Sequence, residues 1–350
     1  MTALRGIAAA YGGIIAAFVA GSTALWVVLL ILLPQIIMAD YSLWRPTVPA
    51  DRTGIEKELD EAYIKVQLIE LKLKKADPAA DKPGLESERD ALRRRIAELE
   101  ATITDGPEVG YEYTAANYLN LGGRHLPIFV KTLLASAAVT VLALLVCYPI
   151  VYYIAKVAPA PRAALIIMGL IVPYWVNEIL RTFAWLMILS YNGLLNTFLQ
   201  ATGITEAPVM FLSGNAGVLI GMIYAYILFM VFPIYNTLET LDGNQLEAAR
   251  DLGAPWWGIH RDIIIPHAKP GIAIGCILTF MLSAGSYAVP AILGGTTGDV
   301  WFTQIIYNQF MASRNWNVGS AYSILLLVVC LAFVIAVMRI ARVRLQDMVR

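Results

Sequence analysis

Charge is what this chain has least of. Only 15% of its 350 residues are Asp, Glu, Lys or Arg, against 58% hydrophobic, whereas a soluble globular domain runs nearer a quarter charged. The 26 basic and 26 acidic side chains cancel, which leaves no cationic surplus for a nucleic-acid partner. Histidine is scarce, at three residues, His125, His260 and His267, and so is cysteine, at Cys147, Cys276 and Cys330. Each cysteine lies inside an apolar run and no Cys-x-x-Cys occurs, so these read as packing residues rather than a metal or redox site. No Gly-x-x-x-x-Gly-Lys-Ser/Thr is present, so the chain does not bind ATP in the P-loop manner. A compact water-soluble enzyme is a poor fit to this composition.

What charge there is collects in one place. Residues 51–105 hold 14 acidic and 11 basic side chains, 25 of the chain's 52. The remainder is dominated by apolar runs. Gly6 to Ala39 carries no charge over 34 positions, too long for a signal-peptide core and read as a retained membrane anchor. Since a crossing helix needs about 20 mostly apolar residues, six spans are expected near 12–38, 129–155, 163–189, 214–236, 271–293 and 319–340. The third is interrupted by Glu178 and Arg181.

Short loops orient the spans. Lys156 and Arg162 follow the second; Arg250, Arg261 and Lys269 follow the fourth; Arg339, Arg342, Arg344 and Arg350 close the chain. The 190–213 loop has no Lys or Arg and the 294–318 loop only Arg314. Positive charge marks the cytoplasmic side, so both termini are expected inside and the long 39–126 segment outside. Within that segment Ile55, Leu59, Ala62, Val66, Ile69, Leu73 and Ala76 step by four and three, and Leu85, Leu92, Ile96, Leu99 and Ile103 continue the spacing. These are heptad seams. The intervening 77–84 stretch has two prolines and a glycine, a turn signal. An extracytoplasmic antiparallel coiled-coil hairpin follows, with arms of about 20 residues reaching roughly 30 Å at 1.5 Å per residue. It is either a solvated spacer or a docking arm. The expected organisation is 1–50, first span and flanks; 51–105, inserted hairpin; 106–350, a five-helix core.

Between spans four and five, residues 238–270 form the most structured loop. Asn244 to Leu252 favour helix; Gly253 suits the left-handed residue that ends one; Pro255 suits the first turn of another, and Pro266 is expected to stop it. Ala248 and Ala249 leave a low surface on which another protein's groove can close, and Trp256, Trp257, Ile259 and Ile263 offer apolar contact.

Glu247-Ala248-Ala249, then Gly253, Ile263, Ile265 and Pro266 at their spacings, resemble the EAA loop of binding-protein-dependent ABC importer permeases, with Ile265 where that pattern usually has Leu. The resemblance implies a MetI-like type I permease, all-α with six transmembrane helices, in the bacterial inner membrane. It implies Glu247, Ala248, Ala249, Gly253, Pro255, Ile263 and Pro266 as an ATPase-coupling element seated in one of two cytoplasmic ABC ATPase subunits. ATP and Mg would be bound there, with no cofactor in this chain, which would itself be no enzyme. It further implies a second, similar permease subunit and a periplasmic solute-binding protein, besides membrane lipid. Residues 170–175, 180–185, 192–196, 285–295 and 315–321 resemble the spermidine/putrescine-type subgroup, and the likeness spans roughly 10–50 and 110–345 but not the hairpin.

The residues themselves say less about cargo. Glu178 and Arg181 share a helix face and could neutralise each other; alternatively Tyr174, Trp175 and Glu178 line a cation path, or Arg181 faces an anion. Tyr287 is a further pathway candidate, and Asp299 reads as outer surface. An enzyme built on histidine is disfavoured, because His125 and the pair His260 and His267 fall on opposite sides. A self-sufficient secondary carrier would show more spans or repeated halves, and a scaffold would leave the EAA spacing without a purpose.

Overall fold

The computed structural model describes residues 12–47, 50–75, 82–104, 110–119, 121–294 and 300–343. They fall into two compact units, 1–117 and 118–350.

The first unit opens with α1, Gly13–Ser42. Its side chains are almost all uncovered within the unit, as suits a helix whose solvent is lipid. The widened π-turn at Val27–Leu32 sits just ahead of Pro34, where a missing N–H would leave an α-helical carbonyl unpaired. A strand β1 (Trp44–Thr47) follows, then helices α2 (Ala50–Lys75) and α3 (Lys82–Thr104), then β2 (Gly110–Tyr113) and a short helix α4 (Ala116–Leu119). Heptad positions hold α2 to α3: Ala62, Val66 and Ile96 are buried together with Leu59 and Leu92 against them. Arg95–Glu58 and Arg93–Glu70, each at 2.9 Å, bridge the two helices. Exposed pairs of this kind contribute little, so the apolar seam carries the association. The expected turn at 77–84 lies partly outside the described residues, and Lys82, Pro83 and Gly84 already belong to α3. Among the described residues the ribbon is the one departure from helical secondary structure. β1 and β2 pair antiparallel with Trp44 opposite Tyr113, and the Asn117 side chain donates to the carbonyls of Ser42 and Trp44, both at 3.0 Å.

The second unit contains α5 (Gly122–Tyr152, continued by a π-turn to Val157), α6 (Ala160–Ile171), α7 (Glu178–Leu189), α8 (Leu194–Ala201), α9 (Ala216–Glu239), α10 (Gly243–Asp251), α11 (Trp256–Gly285), α12 (Ala288–Leu293), α13 (Phe302–Met311) and α14 (Trp316–Ala341). Its centre is α9 packed on α5 and α11, which also pack on each other; α14 lies on α11. Helices α9 and α11 approach closely at Gly271, where a Cβ would overlap the Pro233 carbonyl and the Thr237 hydroxyl. Small residues that let backbones meet are how helices associate where lipid removes the hydrophobic drive.

Five described helices are long and apolar enough to cross a membrane: Gly13–Ser42, His125–Val157, Ala216–Glu239, Trp256–Gly285 and Trp316–Ala341. A sixth crossing exists if the bent pair Ala160–Trp175 and Glu178–Ala201 counts as one. Two sequence expectations need correction. The third span is not a single rod, because it bends by 102° between Trp175 and Glu178. The fifth ends at Gly285 rather than continuing to 293, and it begins much earlier, at Trp256. The reason is Pro266. It was expected to stop the preceding helix, yet the chain passes through it, because the π-turn His260–Ile264 directs the Ile265 N–H to the His260 carbonyl. That wider turn absorbs the proline ring and its absent donor.

Candidate functional site

The loop between α9 and α11 is rigid for local reasons. Asp242 caps α10 by accepting from the Asn244 N–H at 3.0 Å, a standard N-terminal arrangement. At the other end the Gly253 N–H donates to the Arg250 carbonyl at 2.9 Å and the Ala254 N–H to Ala249 at 3.0 Å. That is a Schellman cap, and Gly253 holds its left-handed position at φ 79°. Pro255 is extended (φ −68°, ψ 153°) and opens α11. Hence α10 ends sharply at Asp251 and α11 starts at Trp256, after four intervening residues.

One side of this elbow is bonded to the bundle. Leu241, Leu246, Ile259 and Ile264 are buried in the same cluster as Ala143, Cys147 and Val151 of α5 and Met230, Val231, Ile234 and Leu238 of α9. Lys156 donates to the Leu241 carbonyl, and the Thr240 hydroxyl lies 3.1 Å from His267 Nε2. The other side is open: Glu247, Ala248, Leu252, Gly253, Pro255, Trp256 and Trp257 are exposed, Trp257 to 75% and Leu252 to 88%. The expected apolar contact set is therefore corrected in part. Trp256 and Trp257 face outward, whereas Ile259 is buried and Ile263 packs against the core. Ala249 is half-covered and Pro266 exposed. Ala248 beside two exposed tryptophans, braced from behind, makes an uncovered and largely apolar face.

The second cluster lies at the bend of the third span. Val176 is extended, and Asn177 caps α7 by accepting from the Ile179 N–H at 2.8 Å, so Glu178 stands in the first turn of a helix, where the dipole favours an anion. Glu178 and Arg181 form no ion pair, which corrects the idea of mutual neutralisation. Arg181 instead lies with its Cζ 4.2 Å over the Tyr174 ring, a surface that the bend swings across the start of α7. That ring is held in place: its hydroxyl donates to the Tyr224 carbonyl at 2.7 Å and accepts from the Leu228 N–H. Glu178 accepts from the Tyr226 hydroxyl at 3.3 Å. Arg181 Nε and Nη1 are buried without a partner. Glu178, Arg181, Thr182, Trp185, Gly221, Tyr224 and Ala225 line a small pocket. Trp175 (83% exposed) and Tyr287, which stacks on Tyr307 at 4.4 Å between ring centres, are outside it. Asp299 lies outside the described residues. No group of three His, Cys, Asp or Glu that could hold a metal occurs among the described residues.

Three features went unread in the sequence, although two of them carried a local signal. Asn177 and Asp242 were visible as Asn and Asp ahead of helical runs. The aromatic surroundings of His260 were not, since Tyr148 and Tyr152 are more than a hundred positions away.

Residues 163–348 match the family described as binding-protein-dependent transport system inner membrane component. The chain is 35% identical over 232 residues to the spermidine/putrescine transport system permease protein PotB of Escherichia coli (strain K12), covering 65% of this chain and 82% of that protein. Similarity to PotC of the same organism and system is 37% over 114 residues, 33% of this chain and 42% of that one. Among solved structures, a bacterial alginate ABC transporter in complex with an alginate pentasaccharide-bound periplasmic protein superposes with a TM-score of 0.53 at 15% identity, over 65% of this chain and 83% of the other.

Proposed function

This chain belongs to the family of binding-protein-dependent transport system inner membrane components, the membrane permeases of ATP-driven importers, and we propose that it carries half of the path for a polyamine-like cation. The observation that carries the importer role is the elbow of α10 and the start of α11, braced on one side and open on the other. Glu247, Ala248, Ala249, Gly253 and Pro255, with Ile263 and Pro266 behind them, act as the coupling element for one of two cytoplasmic ATPases. Those ATPases hold ATP and Mg and do the hydrolysis. A second, homologous permease completes the path, and a periplasmic binding protein delivers the solute. Both termini lie inside, and 51–105 projects outside as a hairpin between the first span (1–50) and the core (106–350).

Likeness to PotB supports the polyamine cargo, and the bend supplies chemistry for it. Glu178 offers a carboxylate and Trp175 an exposed face suited to ammonium groups. The Tyr174 ring already carries Arg181 on one face, and Tyr287, paired with Tyr307 outside the pocket, would meet the solute elsewhere on the path. One observation favours a different cargo: Arg181 leaves Nε and Nη1 buried and unpaired, donors that a carboxylate would satisfy. Two substitutions separate these. In the reconstituted complex Glu178→Gln raises the KM for spermidine uptake roughly tenfold, about the 1.4 kcal/mol of one charge-assisted contact, and Arg181→Met leaves uptake intact. Unchanged spermidine KM in Glu178→Gln, with uptake abolished in Arg181→Met, would overturn the cation path in favour of an anion.

A further inference from the structure

His260 is the most deeply buried ionisable side chain of the elbow, 3% exposed, and it lies in an otherwise apolar joint. Its Nδ1 is 2.8 Å from the Tyr148 hydroxyl on α5. Its ring packs between Tyr152 of α5, at 4.6 Å, and Trp256 of α11, at 4.2 Å between centroids. Trp256 meets Trp257 edge-on at 4.6 Å. A continuous line of side chains thus runs from the open face of the elbow, through His260, to α5 of the bundle. Within this line the Tyr148–His260 contact is the one hydrogen bond.

The contact is costly. Nε2 is buried with no hydrogen-bond partner, and an unsatisfied buried polar atom opposes folding. An apolar ring of similar shape would fill the place without that cost, as buried polar groups replaced by packed hydrophobics often show. Stability therefore does not account for a histidine here. Position does. A hydrogen bond fixes one rotation of α11 against α5 where apolar packing tolerates several, and a π-turn at His260–Ile264 makes this the place where α11 is least constrained by its own ladder.

We propose that the Tyr148–His260 pair is a positioning pin that makes movement of the elbow turn α5 along with it. It rests on the coupling role assigned above. The pin transmits; it touches neither solute nor nucleotide.

The test uses the complete complex with its ATPases and binding protein, and compares binding-protein-stimulated with basal ATP hydrolysis. Tyr148→Phe removes one oxygen, and His260→Phe removes the polar ring. Each is expected to assemble and to lower the stimulated-to-basal ratio roughly tenfold, the factor set by loss of one buried hydrogen bond. His260→Phe should unfold no earlier than the parent, whereas Tyr148→Phe should unfold somewhat earlier, because it leaves His260 Nδ1 buried without its partner. The double variant should be no worse than either single one, because both remove the same bond. An unchanged ratio, or additive losses, overturns the pin while leaving the coupling role standing. Lower thermal stability with the ratio intact also overturns it, since the pair would then be merely structural. Failure of the parent complex to retain an ATPase would sink the coupling role and the pin together. Should His260→Phe misfold, Tyr148→Phe alone decides.

Discussion

Gly253 allows a test in which backbone strain and occlusion come apart. Its φ of 79° is left-handed, a conformation that costs a non-glycine residue about 1–2 kcal/mol. A Cβ built there meets nothing within 4 Å. Gly253→Ala therefore pays only the backbone term, which a fold stable by about 5–15 kcal/mol tolerates, and Gly253→Asn less, since Asn enters this region more readily. Gly253→Trp carries the same backbone cost as Ala and adds a large side chain in open space. Any difference between Trp and Ala thus reports what fills that space in the assembly. If an ATPase groove closes over the elbow, the indole keeps it out, and loss of a few anchor contacts amounts to about 2.7 kcal/mol, a hundredfold in affinity. Co-purification of the ATPase, followed by solute-stimulated hydrolysis, measures this. Asn and Ala variants should assemble, with Ala somewhat weaker, and Trp should fold but neither retain the ATPase nor respond to solute. A Trp variant indistinguishable from Ala in both assays refutes the idea that the elbow is where the motor sits.

Two further outcomes follow from packing. Gly271→Val places carbon against the Pro233 carbonyl, a backbone atom with no rotamer to yield, so α9 and α11 must part. The complex should lose several degrees of thermal stability, or not accumulate, whereas Gly285→Val, where nothing lies within 4 Å, should not. In the hairpin, Val66→Asp sets a charge in a seam of only a few buried side chains. Hydrogen exchange across 55–100 should accelerate while the membrane helices keep their protection, and removal of 54–104 should leave uptake intact if the hairpin is a spacer. Lost uptake would mark a docking arm.

The elbow was legible because its determinants are local: a helix-favouring run, Gly253 for the left-handed cap, Pro255 to restart. The heptad seam of α2 and α3 was legible because periodicity alone encodes it. Pro266 misled, since a π-turn that carries a helix past a proline depends on the whole of α11 being held by α5 and α9. The bend at 172–178 was masked by composition. Hydropathy counted Glu178 and Arg181 as faults in one span, while the decisive residue was Asn177, which starts a new helix. The ribbon escaped because each strand has four residues and its partner lies across the entire insertion. The company Arg181 keeps was also hidden, because it depends on an angle of 102°.

That ribbon has an effect on what lies between its strands. With Trp44 opposite Tyr113 and Asn117 holding the chain back at Ser42 and Trp44, the insertion leaves and re-enters at a clasp whose width does not depend on the length it encloses. The 62 positions between Thr47 and Gly110 become a cassette. They can lengthen, shorten or be exchanged for an unrelated fold without pulling on the strands that bound them, so a fluorescent or affinity module grafted in place of 54–104 should leave the clasp itself shut.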